Sequence, residues 1–123
     1  MMKVIIADDE KMIRTLIKDS LPIEELDILL LAEADNGNKA LEQSLRLIPD
    51  ILITDIRMPG LSGLDLIERL VKYLPEMIII IISGHNDFEY ARRALSLGVF
   101  NYLLKPIDRA EIRGVLKQAK EKI

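Results

Sequence analysis

Polar residues close several aliphatic runs in this chain. Val4-Ile5-Ile6-Ala7 ends in Asp8-Asp9-Glu10, and Ile51-Leu52-Ile53 runs on into Asp55. The run Met77 to Ile82 ends in Ser83-Gly84, and Val99 to Leu104 ends in Lys105-Pro106. If these ends meet on one rim, Asp8, Asp9 and Asp55 bring three negative charges against the single positive charge of Lys105. Carboxylates crowded in this way repel and take up protons unless a cation neutralises them. A divalent ion would cancel the remaining charge. The available ligands are hard oxygens, and the single histidine is His85. That favours Mg²⁺, with Mn²⁺ as a surrogate, over zinc. Mg²⁺ usually takes one or two carboxylates and completes its shell with water and phosphate oxygens, so phosphoryl chemistry is the natural inference. The chain has neither G-x-x-x-x-G-K-[ST] nor G-x-G-x-x-G to cradle a nucleotide. The phosphoryl group must then come from a small donor or another protein. A carboxylate can accept it as an acyl phosphate, with metal and lysine stabilising charge on the transferring oxygens.

The elements that must position these residues are legible from periodicity. Strands are expected at 4–7, 28–32, 51–53, 77–82 and 99–104, each a continuous aliphatic run. Between them, Met12, Ile13, Leu16, Ile17 and Leu21 recur at helical spacing, with Pro22 just past the end. Asn36-Gly37 reads as a turn before a helix carrying Ala40, Leu41, Leu45 and Ile48. Ser62-x-x-Asp65 resembles a capping box ahead of Leu64, Ile67, Leu70 and Val71. Asn86-x-x-Glu89 opens a fourth helix, with Gly98 where a C-terminal cap belongs. Asp108-x-x-Glu111 opens a fifth, carrying Ile112, Val115, Leu116 and Ala119. Strands without alternation are buried on both faces, which means a parallel sheet between two helical layers. The expected fold is α/β, a doubly wound five-stranded parallel sheet with five helices. In such sheets ligands bind at the carboxyl ends of the strands, where the polar residues lie.

Composition narrows the function classes. A chain of 123 residues, 50% apolar and 30% charged, suits one domain, residues 1–123. A net charge of −3 argues against direct nucleic-acid binding by this domain. No cysteine is present, which excludes disulfides and thiolate metal sites and is compatible with a reducing, cytoplasmic setting. The amino-terminal apolar stretch is too short for a signal peptide, and the run Met77 to Ile82 is far too short to span a membrane.

Taken jointly and in order, Asp8-Asp9, the D-x-x-M-P-G of residues 55–60, Ser83-Gly84 and Tyr102-x-x-Lys105-Pro106 resemble the receiver domain of two-component response regulators. The resemblance covers the whole chain. It implies the strand order 2-1-3-4-5 of a flavodoxin-like three-layer sandwich. It implies that Asp55 is the phosphoacceptor from a sensor histidine kinase. It implies that Asp9 ligates Mg²⁺ directly, Asp8 mainly through water, and Arg57 through its backbone carbonyl. Ser83 and Lys105 would contact the phosphoryl oxygens. Tyr102 would turn inward as Ser83 moves, and the Lys105-Pro106 bond would be cis. The switch surface would be the fourth helix, fifth strand and fifth helix, with a homodimer forming on phosphorylation. The domain would be a regulatory switch and not an enzyme, beyond weak self-catalysed phosphoryl transfer and hydrolysis. Further likeness in residues 21–27, 34–37 and 85–91 is to receivers that precede AraC-type DNA-binding domains, which implies an output in transcription.

Bland readings stand beside these. Asp8 and Asp9 alone would serve as a helix cap, Asp55 as a turn residue before Pro59, and Tyr102 as core. His85 and Arg57 occupy positions that flank the phosphate in receivers; a solvent-exposed loop histidine is an equal reading for His85. Among rivals, a haloacid dehalogenase-type phosphatase would carry D-x-D on the first strand, where this chain has adjacent acids. A flavodoxin-like binding module would need a phosphate loop where Asp8-Asp9-Glu10 would repel the ligand. A pseudo-receiver is disfavoured by the presence of Asp8, Asp9, Asp55, Ser83 and Lys105 together.

Overall fold

A computed structural model describes residues 1–84 and 88–123. Five strands, β1 (Met2–Ala7), β2 (Ile28–Ala34), β3 (Ile51–Thr54), β4 (Ile78–Ser83) and β5 (Asn101–Leu104), form one sheet in the order β2-β1-β3-β4-β5. Every pairing is parallel. Each residue of β3 and β4 is buried, as continuous aliphatic runs require.

Alternation along the strands divides the core. Val4, Ile6, Ile53 and Ile80 face one layer, where Ile17 of α1 (Lys11–Ser20) and Ile112, Val115 and Leu116 of α6 (Arg109–Lys122) pack. Ile5 and Leu52 face the other, against Ala40 of α3 (Gly37–Leu47) and Leu66 and Leu70 of α4 (Gly63–Tyr73). Ile79 and Ile81 continue that layer toward Ile67 and toward Ala94 of α5 (Phe88–Ser96). Helix ends carry the expected caps. Ser62 accepts the Asp65 N–H at 3.2 Å, and Asp108 accepts those of Ala110 and Glu111 at 2.9 and 3.2 Å. Gly98, at φ 93°, closes α5 in the left-handed region that glycine enters without penalty.

Apart from shifts of one or two residues at the ends of β1, β3 and β4, the structure corrects the expected elements in four places. A further one-turn helix, α2 (Ile23–Leu26), follows Pro22, so the described residues hold six helices and the expected fourth and fifth are α5 and α6. One turn is too short to show a period; Glu24 and Glu25 in its first turn favour it electrostatically. β2 runs to Ala34, carrying Glu33 within the sheet. Asn36-Gly37 is not a free turn but the start of α3, where the Asn36 side chain accepts the Lys39 N–H at 2.8 Å. β5 begins at Asn101, because Val99 donates back to the Ala94 carbonyl at 3.2 Å to finish α5. The expected helix start at Asn86 and the reading of His85 lie outside the described residues.

Leu66 is fully buried and Met12 is 74% exposed. In urea denaturation, Leu66→Ala should cost about 3 kcal/mol, whereas Met12→Ala should stay within about 0.5 kcal/mol of the parent.

Candidate functional site

Sheet register assembles the site. Ala7 is paired with Thr54, so Asp8 and Asp55 leave neighbouring strands at the same level. Ser83 is paired with Leu104, which puts Lys105 one residue beyond that pair. The main chain continues the alignment: the N–H groups of Asp8 and Asp55 donate to the carbonyls of Ala34 and Ala7, both at 3.0 Å, and that of Lys105 donates to Ser83 at 2.8 Å.

The side chains then converge. Asp8, Asp9 and Asp55 each present a carboxylate oxygen, and these lie within 4.8 Å of one another. Asp8 and Asp55 are buried; Asp9 is exposed. The Lys105 ammonium donates to Asp8 Oδ2 at 3.0 Å and to Asp55 Oδ2 at 3.1 Å. The other oxygens are taken by local N–H groups. Glu10 N–H donates to Asp8 Oδ1 at 2.9 Å, and Ile56 N–H donates to Asp55 Oδ1 at 2.6 Å. The Thr54 hydroxyl caps the Asp55 carbonyl at 2.9 Å. Both buried carboxylates are therefore held at both oxygens.

Burial pushes the Asp8 carboxyl above its ordinary value, even though the Glu10 N–H and Lys105 pull it down. For Lys105 burial acts downward, but hydrogen bonds to Asp8 and Asp55 and their charges outweigh it, so its ammonium is held above the usual lysine value. Three carboxylates and one ammonium leave two negative charges, and the donors are all hard oxygens. That donor set fits a divalent ion such as Mg²⁺.

The remaining expected residues fall around this centre. Ser83 is buried at the end of β4. Tyr102 of β5 is paired with Ile81 and packs partly buried against the Ile56–Ile81 cluster. The Lys105-Pro106 bond is cis. Arg57, two residues past Asp55, turns its guanidinium to α5, donating to the Tyr90 hydroxyl at 3.2 Å and lying 5.1 Å from that ring's centre.

Sequence reasoning missed the support on the α1 side. Arg14 donates to the Asp8 main-chain carbonyl at 2.7 Å and to Glu33 at 3.2 Å, and Lys18 pairs with Glu33 at 2.8 Å. The Lys18 hydrogen bond, then that of Arg14, hold the Glu33 carboxyl below its ordinary value against partial burial. The available signal was Arg14 one turn after Glu10, on the helix that follows the acids. It was too generic to single out without knowing that β2 extends to Glu33.

These acids, joined by a strand-end lysine on a 2-1-3-4-5 sheet, coincide with a family match over residues 4–117, the response regulator receiver domain. The chain belongs to that family. Members are regulatory domains of two-component systems, not enzymes in the ordinary sense. The receiver is 38% identical over 118 residues to an uncharacterized transcriptional regulatory protein, YesN, of Bacillus subtilis (strain 168), covering 96% of this chain and 32% of that protein. Among solved structures it resembles the REC domain of AraT, a response regulator from Geobacillus stearothermophilus, with 42% identity, a TM-score of 0.92 and coverage of 98% and 94%. It also resembles a two component transcriptional regulator AraC from Clostridium phytofermentans ISDg, with 32% identity, a TM-score of 0.85 and coverage of 99% and 94%. The chain thus spans about a third of the length of its curated relative YesN. Among the described residues no helix is long and apolar enough to cross a membrane.

Two measurements test the site's physics. A Cβ added at Gly63 would lie 2.2 Å from the Asp55 carbonyl oxygen and 2.7 Å from Ile56 Cα. Gly63→Ala should therefore destabilise the receiver by about 1–3 kcal/mol in urea and shift the Asp55 amide resonance. The second concerns pH. A carboxyl with a raised folded pKa binds more protons folded than unfolded, so its contribution to stability falls as pH rises from the ordinary value of 3.8 through the folded value. With metal chelated, Asp8→Asn should melt higher than the parent at pH 7, and the gap should close as pH drops below about 4.

Proposed function

We propose that this receiver, residues 1–123, accepts a phosphoryl group on Asp55 from a sensor histidine kinase. The observation that carries the reading is the cluster of Asp8, Asp9 and Asp55 bridged by Lys105. Asp8, Asp9, Asp55 and the Arg57 backbone carbonyl would hold Mg²⁺, or Mn²⁺ in its place. The ion, when bound, neutralises charge on the phosphoryl oxygens.

The chain's own residues do the rest. Ile56 N–H fixes one Asp55 oxygen, which leaves the other to attack phosphorus in line with the leaving group. The new bond is carboxylate oxygen to phosphorus. The bond broken joins phosphorus to the donor imidazole nitrogen, or to the acyl oxygen of a small donor. The departing group keeps the electron pair. Lys105 is already beside Asp55 and moves its hydrogen bonds onto a phosphoryl oxygen; the Ser83 hydroxyl takes another. Later attack of water on the aspartyl phosphate resets the domain slowly, as weak self-catalysed hydrolysis.

Phosphorylation replaces one negative charge with about two. The added oxygens draw Ser83 and Lys105, which end β4 and follow β5. Tyr102 of β5 packs against the cluster that holds Ala94 of α5, as Tyr90 of α5 also does, so the signal would reach the face made by α5, β5 and α6. That face would pair with a second copy or bear on a DNA-binding output domain. The relatives named as transcriptional regulators support such an output.

Intact mass after incubation with Mg²⁺ and acetyl phosphate tests the reading. One phosphoryl group should be gained, lost with EDTA and absent in Asp55→Asn. An unmodified parent protein that still binds Mg²⁺ would point to a phosphorylation-independent module.

A further inference from the structure

The three clustered acids are not held alike. Asp8 and Asp55 have both carboxylate oxygens engaged by Lys105 and by local N–H groups. Asp9 is exposed, and among the described residues its side chain makes no hydrogen bond. Its place in the cluster depends on its backbone. The peptide unit that carries the Asp9 N–H also carries the Asp8 carbonyl, and that unit is planar. Whatever fixes the Asp8 carbonyl fixes the direction from which Asp9 leaves the strand.

Arg14 Nη1 donates to that carbonyl at 2.7 Å. The guanidinium side chain is only 14% exposed, and its Nε is anchored to Glu33 at 3.2 Å. Glu33 is immobilised in turn. Lys18 holds its second oxygen at 2.8 Å, and the Gln43 amide donates to its backbone carbonyl at 3.0 Å. Its neighbour Ala34 accepts the Asp8 N–H at 3.0 Å. The Asp8–Asp9 segment is thus fixed from β2 directly and through the Arg14 fork. The planar guanidinium presents its N–H groups in a fixed fork, so it sets the spacing of the two acceptors, which the freely rotating ammonium of a lysine does not.

We propose that Arg14, braced by Glu33, is the positioning residue for Asp9, holding the Asp8–Asp9 peptide so that the exposed carboxylate joins Asp8 and Asp55 around a divalent cation. The inference rests on the reading of these acids as the Mg²⁺ site.

Its sign separates it from simpler roles. A guanidinium near a metal site repels the metal, so if Arg14 acted by charge alone, its removal would tighten Mg²⁺ binding. If it were only a strut between α1 and β2, removal would lower thermal stability and leave Mg²⁺ affinity unchanged. Positioning requires that affinity fall although a positive charge has gone.

The test is a Mg²⁺ titration of the ¹⁵N-labelled 123-residue chain, followed by amide resonances. Arg14→Met should weaken Mg²⁺ binding about tenfold, the scale found when partners that orient metal ligands are lost, and should shift the metal-free Asp9 amide. Arg14→Lys keeps the charge and the helix but loses the fork, so it supplies the second variant if methionine is not tolerated; it should also bind Mg²⁺ several-fold more weakly. Parent-like affinity in Arg14→Lys, or unchanged or tighter binding in Arg14→Met, would overturn the role of Arg14 and leave the metal site standing. No Mg²⁺ response in the parent would overturn the metal site itself, and this inference with it.

Discussion

The Lys105 ammonium between Asp8 and Asp55 is the contact on which the rest of the site depends. Two buried carboxylates on adjacent strands, with Asp9 beside them, form an unfavourable assembly unless charge is supplied. Lys105 supplies part of it from β5, the far edge of the sheet, at 3.0 and 3.1 Å. The burial that raises Asp8 and the carboxylates that raise Lys105 are two sides of one arrangement. The charge that remains, on hard oxygen donors, fits a divalent ion.

That arrangement needs a sheet whose inner strand ends are level. Parallel pairing of β1 with β3 sets Asp8 beside Asp55, and pairing of β4 with β5 sets Ser83 beside the lysine. The register is held by two-sided burial: a slip of one residue would exchange the residues facing α1 and α6 for those facing α3, α4 and α5. Gly63 shows how tight the support is, since α4 begins in contact with the Asp55 backbone and Gly63 N–H donates to the Ile56 carbonyl at 2.6 Å. Core packing and the geometry of Asp55 are therefore one constraint.

On the opposite flank the site is braced by a polar network. Arg14, Lys18, Glu33 and Gln43 join α1, β2 and α3 beneath the Asp8–Asp9 segment. The Arg57–Tyr90 contact links the loop after Asp55 to α5. The acidic centre thus has one flank tied through α1 to the β2 edge and another in contact with α5.

Strand-end chemistry was legible in the sequence because each βα unit announces itself locally. An unbroken aliphatic run followed by Asp8-Asp9, Asp55, Ser83 or Lys105 needs no distant information, and parallel-sheet logic alone places those ends on one rim. The caps at Ser62, Asp108 and Gly98 were readable for the same reason. The one-turn α2 and the true role of Asn36 were not, because a single turn carries no period and Asn-Gly serves turns and caps alike. Arg14 and Glu33 were invisible as a pair, since their contact depends on where β2 ends and how α1 lies against it. By itself the sequence determined the parallel sheet and the identity of the acids, because these follow from hydrophobic pattern and local propensity, while the strand order came with the family resemblance of the strand-end motifs. Only the tertiary structure decided which oxygen faces which donor, and that, among the described residues, the Asp9 side chain makes no hydrogen bond while Asp8 and Asp55 are held at both oxygens. Those are matters of ångström-scale packing between segments far apart in the chain.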